Sequence, residues 1–389
     1  MSEAKIDLNN LDKSNWKTYR FDEIAKNISE RVDPNNTDLK VYIGLEHIDS
    51  ESLHIKRHGT PDDVNGTKLK FYKGDIIFGR RRAYQRKAGI ATWDGFCSAH
   101  ALVLRANPDV IDPELFPFFM HSDLFMNRAI DISVGSLSPT INWGTLKHQE
   151  FQIPPMAVQL VMSQLFKSGE ELLNNYSCLF DAQDKVIKSL LKNIFQNNEA
   201  GEPLIKRFEV TTGFPYKSKL FNEIQEGFKL MRGINIKEGE FLWEPEIDRH
   251  YSGEDGKDEK FKVKSGDILV PMDGSKLGLN YARATDTEVG MLLVQRIASF
   301  RSDNEFDNEL LLAFLASSYF QKFVAKNNTT TAIPHVSLKQ LKEIVLPKLT
   351  APVINQLQKY KSLIAARTDL VRTRCKQREL KRNIINKVF

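Results

Sequence analysis

KGDIIFGRRRAYQRKAGIAT, at residues 73–92, has a relative in KSGDILVPMDGSKLGLNYARAT, at residues 264–285. Each stretch places a Gly-Asp pair before a run of β-forming residues and ends on Ala-Thr, and Gly266 lies 192 positions after Gly74. Gly-Asp is a turn signal, and the apolar run after it is typical of a buried strand. A hairpin that recurs in this way predicts an internal repeat.

Other segments recur in the same order. DPELFPFF, from Asp112, resembles DNELLLAF, from Asp307, and SPTINWGTLK, from Ser138, resembles IPHVSLKQLK, from Ile333; both offsets are 195 positions. Each copy then ends in a short segment with proline, FQIPP or IVLPK, which we call the proline exit. The sequence after each proline exit has a helical pattern. The preserved order of four blocks indicates two α/β copies rather than chance similarity.

The two segments after the proline exits, residues 158–197 and 353–389, carry a seven-residue pattern. Apolar residues recurring at this interval are typical of a coiled-coil seam. The expected helix-pairing residues are Phe166, Leu173, Phe180 and Ile187 in the first segment and Leu363, Leu370 and Ile384 in the second. Leu363 lies 197 positions after Phe166, so we expect the two helices to pair, although an amphipathic helix packed on its own domain would give the same pattern.

The expected fold class is therefore mixed α/β (α+β) with a pseudo-twofold repeat. Residues 1–155 and 200–349 form two tandem globular domains, and residues 156–199 and 350–389 form two long antiparallel, coiled-coil-like helices. Within each globular domain the strand signal comes first and a single helix follows, DPELFPFFMHSDLFMNRAI or NELLLAFLASSYFQKFVA. The sequence has no regular βαβ alternation, which argues against a doubly wound sheet.

Charge is nearly balanced over the chain but not along it. There are 55 Lys and Arg against 50 Asp and Glu, a net charge of +5. Residues 353–389 hold ten cations against two acidic residues, a net of +8, so the remaining 352 residues sum to −3. This basic helix could span DNA, dock an acidic partner surface, or simply keep a coiled coil soluble.

Cysteine usage and hydropathy bear on the compartment. Cys97, Cys178 and Cys375 are far apart, which fits a reducing compartment better than a disulfide framework. The first residues are polar and acidic rather than basic and then apolar, and no run of 18 or more apolar residues occurs. We expect a cytoplasmic protein that does not bind a membrane.

The sequence lacks the usual motifs of catalysis. It contains no Gly-x4-Gly-Lys-Ser/Thr phosphate loop, no Cys-x-x-Cys pair and no Asn-Pro-Pro-aromatic tetrapeptide of amino-methyltransferases. Asp258 and Glu259 could be placed in a nuclease-type Asp…Glu-x-Lys pattern, but they lie in SGEDGKDEK, which is typical of a solvated turn. We expect neither a bound metal nor catalysis by this chain alone.

The pattern as a whole resembles the specificity subunit of type I restriction-modification enzymes: two tandem α/β units, each with a Gly-Asp hairpin, a proline exit and a long helix. The most specific pieces are TTGFPYKSKLF (211–221) with FKLMRGINI (228–236), KSGDILVPMDGS (264–275), and SPTINWGTLKHQEFQIPPMAVQ (138–159). The resemblance extends over essentially the whole chain and rests on the order and duplication of these pieces.

The resemblance implies a function. In that family each globular unit is a target recognition domain that reads one half of a split DNA site, and the paired helices form a spacer that docks two methyltransferase (modification) subunits. The implied partners are double-stranded DNA, the two methyltransferase subunits and the restriction/translocase subunits. S-adenosylmethionine, and ATP with Mg²⁺ for restriction, would bind partner subunits, so this chain would be a non-catalytic subunit without a cofactor. Half-sites one duplex turn apart need readers about 34 Å apart, a distance that a rigid helix pair can hold.

The hairpin loops supply the first set of expected DNA contacts. Five of the eight residues from Arg80 to Lys87 are Arg or Lys, which suits phosphate contacts and a forked contact to guanine, although such runs are also common on solvated surfaces. The expected contacts are Arg80, Arg81, Arg82, Tyr84, Gln85, Arg86 and Lys87 in the first copy and Asp273, Ser275, Lys276, Asn280 and Arg283 in the second. Because the two loops differ, we expect an asymmetric site.

Two further sets of residues follow from the repeat. The stretches SVGSLSPTINW and KNNTTTAIPH are rich in hydroxyls and amides beside a proline, which suits either DNA contacts or capped turns. The expected contacts there are Ser136, Ser138, Asn142, Thr329, Thr330 and His335. Partner docking is expected at apolar helix residues outside the seam, which are Leu165, Leu172, Leu179 and Leu191.

Two alternatives keep this layout and change the function. The chain could be the specificity subunit of a methylation-only or other restriction-modification assembly, or a scaffold that does not bind DNA. Binding that weakens steeply with salt would distinguish a DNA reader from a scaffold. The sequence does not identify the bases read or the spacer length, because both depend on geometry.

Overall fold

The computed structural model describes residues 8, 11–196, 201–224, 226–254, 259–328 and 334–389. The chain divides into two compact units: unit 1 is Met1–Ser177 with Val371–Phe389, and unit 2 is Cys178–Leu370. These boundaries fall inside two long helices, α5 (Met156–Gln196) and α9 (Ala351–Val388). Each unit therefore takes in part of both long helices, and the four-segment division expected from the sequence stays a prediction.

Unit 1 contains two four-stranded sheets and a two-stranded ribbon. Its strands are β1 (Lys17–Arg20), β2 (Ala25–Ile28), β3 (Arg31–Val32), β4 (Tyr42–Ile43), β5 (Lys68–Phe71), β6 (Ile76–Gly79), β7 (Ala88–Ile90), β8 (Gly95–Cys97), β9 (Ala101–Ala106) and β10 (Glu150–Ile153). Its short helices are α1 (Phe21–Ile24), α2 (Phe116–Met120), α3 (Asp123–Asp131) and α4 (Trp143–Leu146). The sheets have the strand orders β2-β9-β6-β7 and β3-β5-β8-β4, and β1 pairs with β10.

Unit 2 has the same kinds of element. Its strands are β11 (Glu202–Pro203), β12 (Glu209–Thr212), β13 (Phe221–Asn222), β14 (Phe228–Met231), β15 (His250–Tyr251), β16 (Ile268–Pro271), β17 (Ala282–Arg283), β18 (Leu292–Leu293), β19 (Ile297–Arg301) and β20 (Val345–Leu346). Its short helices are α6 (Glu305–Leu315), α7 (Ser318–Asn327) and α8 (Leu338–Lys342). One sheet, β12-β19-β16-β17, repeats the antiparallel order of β2-β9-β6-β7, and the other is β13-β15-β14-β18. The expected mixed α/β class is confirmed.

The central hairpin strand is buried on both faces in each unit. In β6, Ile76 and Phe78 enter one apolar core and Ile77 enters another. In β16, Ile268 and Leu269 likewise point into two different cores. Because side chains alternate across a strand, only a continuous apolar run can fill two cores at once. This is why both Gly-Asp pairs are followed directly by β-forming apolar residues.

The aspartate of the Gly-Asp pair fixes the base of the hairpin in unit 1. Asp75 is 1 % exposed, and its carboxylate accepts a hydrogen bond from the Tyr72 amide at 2.8 Å. Arg105, on the neighbouring strand β9, donates to the two carboxylate oxygens from Nε at 2.7 Å and from Nη2 at 3.0 Å. These hydrogen bonds raise the pKa of Arg105 above its usual range. A forked arginine contact of this kind fixes direction as well as distance.

The same arrangement recurs in unit 2. Asp267, also 1 % exposed, accepts a hydrogen bond from the Lys264 amide at 2.9 Å. Arg301 on β19 donates to its two oxygens from Nε at 2.6 Å and from Nη2 at 2.8 Å. The internal repeat predicted from the sequence therefore includes a buried aspartate–arginine ion pair, which is present in both units.

The single late helix expected in each globular domain is wrong, because that segment forms two helices in each unit, α2 and α3 in unit 1 and α6 and α7 in unit 2. In unit 1 the chain breaks at Ser122, whose side-chain oxygen accepts a hydrogen bond from the Phe125 amide at 3.1 Å and so caps α3. In unit 2 Ser317 accepts one from the Tyr319 amide at 3.2 Å and caps α7. Serine is a strong N-cap because it satisfies an amide that has no partner within the helix.

The long helices pair antiparallel within each unit. In unit 1 the Lys381 ammonium contacts Glu170, and Arg374 donates to the Ser177 hydroxyl at 3.2 Å, so the chain order on one helix is reversed on the other. In unit 2 Arg367 lies 2.5 Å from Asp184. Several contacts between these helices are therefore polar rather than apolar.

The expected seam residues are only partly buried. Phe166 and Leu173 are 2 % and 9 % exposed, whereas Phe180, Ile187, Leu363, Leu370 and Ile384 are half-buried. The buried side chains of α9 lie outside the expected row, at Val353, Leu357, Tyr360, Ile385 and Val388. The expected row on α9 therefore lies at the edge of the buried face, because that face packs on the globular part of each unit as well as on α5.

Replacing Asp75 by asparagine tests the hairpin base. The Asp75→Asn variant would keep the shape of the side chain but not the charge that holds the Arg105 fork, so we expect the free energy of unfolding to fall by about 2 kcal/mol. Urea denaturation would measure this loss. Asp62→Asn, at an exposed position, is the matched control. Equal stability of the two variants would contradict a structural role for the Asp75 pair.

The stability of unit 1 should depend on pH through His121. Burial lowers the pKa of His121 to about 4, and its Nε2 lies 2.8 Å from the Ala88 carbonyl oxygen. An unfolded imidazole has a pKa of about 6.5, so between about pH 6.5 and 4 the unfolded chain takes up a proton that the folded chain excludes. Stability should fall by about 2 kcal/mol from pH 7 to pH 5, measured by urea denaturation. His121→Gln, which keeps an N–H donor but cannot titrate, should flatten this dependence; an unchanged slope would show that other groups cause it.

Candidate nucleic-acid interface

The structure brings the two sets of expected DNA contacts in unit 1 together. The hairpin loop 80–87 follows β6, and the segment 133–142 lies directly against it. The Arg82 amide donates to the Pro139 carbonyl at 2.8 Å, and the Ile141 amide donates to the Arg80 carbonyl at 2.9 Å. We call these two segments loop pair 1.

Unit 2 contains the equivalent arrangement, which we call loop pair 2: residues 272–280 with 334–336. The Gly274 amide donates to the Pro334 carbonyl at 3.2 Å, and the Val336 amide donates to the Met272 carbonyl at 2.9 Å. Each of these bonds falls at the positions that the sequence offsets of 192 and 195 predict from unit 1. Thr329 and Thr330, two of the expected contacts, lie outside the described residues.

Loop pair 1 presents several side chains to solvent. Arg81, Arg82 and Tyr84 are exposed, and Tyr84 is 54 % accessible. Arg82 donates from Nε to the Ser138 hydroxyl at 3.2 Å, which joins the two segments through side chains as well. Within the described part of the chain, the guanidinium of Arg81 makes no hydrogen bond or ion pair, so it is available to a ligand.

The remaining residues of loop pair 1 vary in exposure. Arg80 and Gln85 are half-buried, as is Ser138, while Ser136 and Asn142 are exposed. A hydroxyl and an amide beside exposed guanidinium groups form a surface that can donate to phosphate oxygens and to base edges.

Two expected contacts of the loop are engaged inside unit 1. The Arg86 side chain is 14 % exposed, and its Nη2 lies 2.7 Å from the Asp123 carboxylate. The Lys87 ammonium donates to the Leu45 carbonyl at 2.6 Å. Their positive charges contribute to the local potential, but these donor groups are engaged within unit 1.

The backbone of the loop is left-handed at two arginines. Arg82 has φ 57° and Arg86 has φ 50°, a region that non-glycine residues rarely adopt. The residues 192 positions later are Gly274 and Gly278, with φ 108° and 84°. The same turn is therefore made with glycine in unit 2 and with arginine in unit 1, where holding a side chain in this region costs about 1 kcal/mol per residue. Because unit 2 avoids this backbone strain with glycine, the strain in unit 1 suggests that the two arginine side chains have a function.

Loop pair 2 is less basic and more internally paired. Ser275 and Lys276 are exposed, whereas Asn280 and His335 are half-buried. Asp273 pairs with Arg296 at 2.7 Å. This surface offers one ammonium group, hydroxyls and a paired guanidinium.

Arg283 is committed to an ion pair instead of facing the loop. It donates from Nη1 and Nη2 to the two oxygens of Glu305 at 2.8 and 2.7 Å. These bonds raise the pKa of Arg283, and the same contact lowers the pKa of Glu305 to about 2. The expectation that Arg283 contacts DNA is corrected on this ground: its fork is occupied by α6.

Sequence reasoning missed two exposed residues beside the loops. The His100 carbonyl accepts a hydrogen bond from the Arg80 amide at 3.1 Å, and the Arg296 carbonyl accepts one from the Met272 amide at 2.8 Å. Each residue therefore stands at the start of the neighbouring strand, next to the loop. Aligning CSAHALVL with LVQRIASF in the repeat would have revealed them.

The expected docking residues divide into two groups. Leu165, Leu172 and Leu179 are 42–43 % exposed, and Val186, seven residues further on, is 51 % exposed. Leu191, in contrast, is 7 % exposed and packs in a core of unit 2. The expectation for Leu191 is corrected, because its side chain already has an apolar environment within the unit.

Other kinds of site are absent from the described ranges. No three His, Cys, Asp or Glu side chains there are grouped so as to hold a metal ion. None of the helices described is both long and apolar enough to cross a bilayer. Asp258 of the nuclease alternative lies outside the described residues, and Glu259 is exposed at the start of a short 3₁₀ helix, Glu259–Phe261.

The two units share one α/β arrangement with matching loop pairs, and comparison with known proteins shows which proteins the chain resembles. Residues 13–175 match the model of the type I restriction modification DNA specificity domain. The Escherichia coli EcoDI specificity subunit is 26 % identical over 189 residues, 47 % of this chain and 42 % of that protein. The E. coli EcoAI specificity subunit is 28 % identical over 146 residues, 36 % of this chain and 24 % of that protein. The aligned part thus spans less than half of each curated relative.

Solved structures show the same fold. A chain from a structure of the type I R-M system has a TM-score of 0.62 and 19 % identity, covering 96 % of this chain and 97 % of that one. The type I restriction-modification S subunit from M. genitalium has a TM-score of 0.60 and 15 % identity, covering 99 % of both chains. The resemblance of the chain to type I specificity subunits is confirmed, and the family match itself extends over residues 13–175.

Glycine substitution tests the strain at Arg82. At this left-handed position Arg82→Gly should be more stable than Arg82→Ala by about 1 kcal/mol, because glycine adopts the conformation without strain. At Arg81, which is not left-handed, the order should reverse, with glycine less stable than alanine by about 0.5–1 kcal/mol. Urea denaturation of the four variants measures both differences. The same order at the two positions would contradict a strained Arg82.

Proposed function

We propose that this chain is the non-catalytic DNA-recognition subunit of a type I restriction-modification complex, and that each unit reads one half of an asymmetric bipartite site. The observation that carries the proposal is the loop pair: the same backbone hydrogen bonds join two polar segments in both units, while the exposed side chains differ. A fixed frame with variable side chains suits a reader of two unlike half-sites.

In unit 1 the exposed groups suit duplex DNA. Arg81 and Arg82 are proposed to contact phosphates or to fork onto the O6 and N7 of guanine, with Arg80 adding charge. Tyr84 supplies an exposed aromatic face, and Gln85 an amide that matches adenine. Arg86 and Lys87, whose donors are engaged, contribute to the electrostatic field and to the shape of the loop.

In unit 2 the groups are fewer and different in kind. Lys276 is proposed as a phosphate contact, and Ser275 and Asn280 as hydrogen-bonding groups toward base edges. Ser136, Ser138 and Asn142 in unit 1 and His335 in unit 2 are proposed to line the same surfaces. Thr329 and Thr330, which lie outside the described residues, are proposed as further DNA contacts. Different donors and acceptors at equivalent positions are what a bipartite site with two unlike halves requires.

The long helices are proposed to form the spacer and the docking platform. Helix α5 has 41 residues, or about 60 Å at 1.5 Å per residue, enough to separate readers by one turn of duplex. Its exposed row, Leu165, Leu172, Leu179 and Val186, recurs every seven residues, the interval at which a helix presents one apolar stripe. We propose that two methyltransferase subunits, which would carry S-adenosylmethionine, dock there. Restriction subunits using ATP and Mg²⁺ would join through the complex, in the cytoplasm.

Methylation mapping tests the proposal. In a host that carries the cognate methyltransferase gene, adding this chain should produce a new methylated motif with two unlike halves, read by long-read sequencing. Changing Arg80, Arg81 and Arg82 together to alanine should alter or abolish recognition of one half only, since each base contact is worth about 1–3 kcal/mol.

Two controls separate reading from docking. Leu172→Glu with Leu179→Glu should abolish methylation at every motif while purified chain still binds duplex DNA in a salt-dependent way. Lys276→Ala should affect the half that the Arg80–Arg82 variant leaves intact. Unchanged methylation in an otherwise active complex, with or without this chain, would exclude a specificity function and favour a scaffold. A methylated motif without restriction activity would identify a methylation-only assembly.

A further inference from the structure

Arg86 shares its partners with the end of the last helix. Its guanidinium contacts Asp123 at 2.7 Å and Glu51 at 3.4 Å. Arg382, on α9, contacts the same two carboxylates, Asp123 at 3.0 Å and Glu51 at 3.6 Å. All four residues belong to unit 1, so one small network connects the hairpin loop 80–87 with the C-terminal part of α9.

A second hydrogen-bonded pair strengthens the connection at Asp123. The Asp123 amide donates to the Asn386 side-chain oxygen at 2.8 Å, and the Asn386 amide group donates to the Asp123 carboxylate at 2.5 Å. Although burial of Asp123 opposes ionisation, hydrogen bonds from Arg382 and Arg86 hold the pKa of this carboxyl below its usual value. Asp123 therefore accepts from both the loop and the helix in its charged form.

The left-handed backbone at Arg86 is unusual for a residue with a side chain. Arg86 is left-handed, and its equivalent in unit 2, Gly278, has no side chain. A Cβ at Gly278 would lie 3.3 Å from Val324, so unit 2 closes this position by apolar packing. Unit 1 holds an arginine in a strained conformation at the same place and surrounds it with two carboxylates.

The network is partly open to solvent, which makes it adjustable. Arg86, Glu51 and Arg382 line a cavity of about 470 Å³ whose walls also include His54, Lys381 and Arg378. The Arg382 side chain is 51 % exposed and that of Glu51 is 53 % exposed. Ion pairs open to water contribute modestly, so a change at the helix can shift the loop without unfolding the unit.

We propose that Arg86 is a positioning residue rather than a DNA contact, and that through Asp123 and Glu51 it couples the conformation of loop 80–87 to the end of α9. A partner that moves Arg382 and Asn386 would then change reading of the first half-site. This inference rests on the proposed DNA-recognition function, but the coupling itself can be measured without DNA.

Hydrogen exchange in the full-length chain measures the coupling directly. The amides of Arg82, Gln85 and Arg86 are hydrogen-bonded, so their exchange reports on loop order. Arg382→Ala should speed their exchange by about tenfold, as should Arg86→Ala, whereas Arg378→Ala, one turn away on α9, should leave it unchanged. Arg382→Lys, which keeps the charge but not the fork, should give an intermediate rate. Loop exchange unaffected by Arg382→Ala would overturn the coupling.

The salt dependence of DNA binding distinguishes positioning from contact. Loss of one phosphate contact lowers the slope of log affinity against log salt by about 0.9, so Arg82→Ala should lower the slope. Arg86→Ala and Arg382→Ala should each weaken binding severalfold without changing the slope, and the double variant should bind no worse than either single one. A lower slope for Arg86→Ala, with no effect of Arg382→Ala, would make Arg86 a direct contact and overturn the inference.

Hydrogen exchange and DNA binding test the coupling and the proposed function independently of each other. If the unaltered chain, alone and with its methyltransferase partner, binds no duplex DNA at low salt, the proposed function is excluded while hydrogen exchange still decides the coupling. If the chain binds DNA but Arg382→Ala leaves loop exchange unchanged, the DNA function stands and the coupling is excluded. Asp123→Asn, which removes the shared charge and keeps the side-chain shape, provides a second variant should Arg382→Ala fold poorly.

Discussion

The buried aspartate–arginine pair at the base of each hairpin is the interaction on which the rest of each unit depends. Asp75 with Arg105, and Asp267 with Arg301, tie the start of the hairpin strand to the far end of its neighbour. Since a shift of one residue would turn every side chain of β6 or β16 to the wrong core, fixing this register also fixes both apolar layers. The direction in which the loop leaves the sheet follows from that register.

A frame fixed in this way leaves the loop tips free to differ. Both loops are held by amide-to-carbonyl bonds that do not depend on side-chain identity, one to the Pro139 carbonyl and one to the Pro334 carbonyl. Glycine makes the turn without strain in unit 2, whereas arginine makes it in unit 1 at an energetic cost. Duplication of a frame followed by divergence at the tips would thus change what is read without changing how the reader is held.

The sequence predicted the features that depend on local pattern. It missed those that depend on which distant residues a side chain contacts. The Gly-Asp hairpins, the two long helices and the mixed α/β class follow from turn residues and hydrophobic periodicity, and all three are present. The break at Ser122 was missed because a serine cap within an apolar stretch gives little signal. Charge density alone could not show that the guanidinium groups of Arg86 and Arg283 are paired with carboxylates of their own unit, because those carboxylates are distant in the sequence. Leu191 was misassigned because its apolar partners lie in the globular part of unit 2.

The strong positive charge of the last helix has a different meaning in the structure than in the sequence. Cations of this helix contact carboxylates within their own unit: Lys361 with Glu309, Arg367 with Asp184, Lys381 with Glu170 and Arg382 with Asp123. A paired charge attracts a polyanion less than a free one, because the field of the neighbouring carboxylate opposes it. These paired cations would then attract DNA phosphates less than the exposed arginines of loop 80–87 do, and their ion pairs hold the helix against each unit. Recognition and assembly would accordingly use two separate sets of cations, which meet at Asp123.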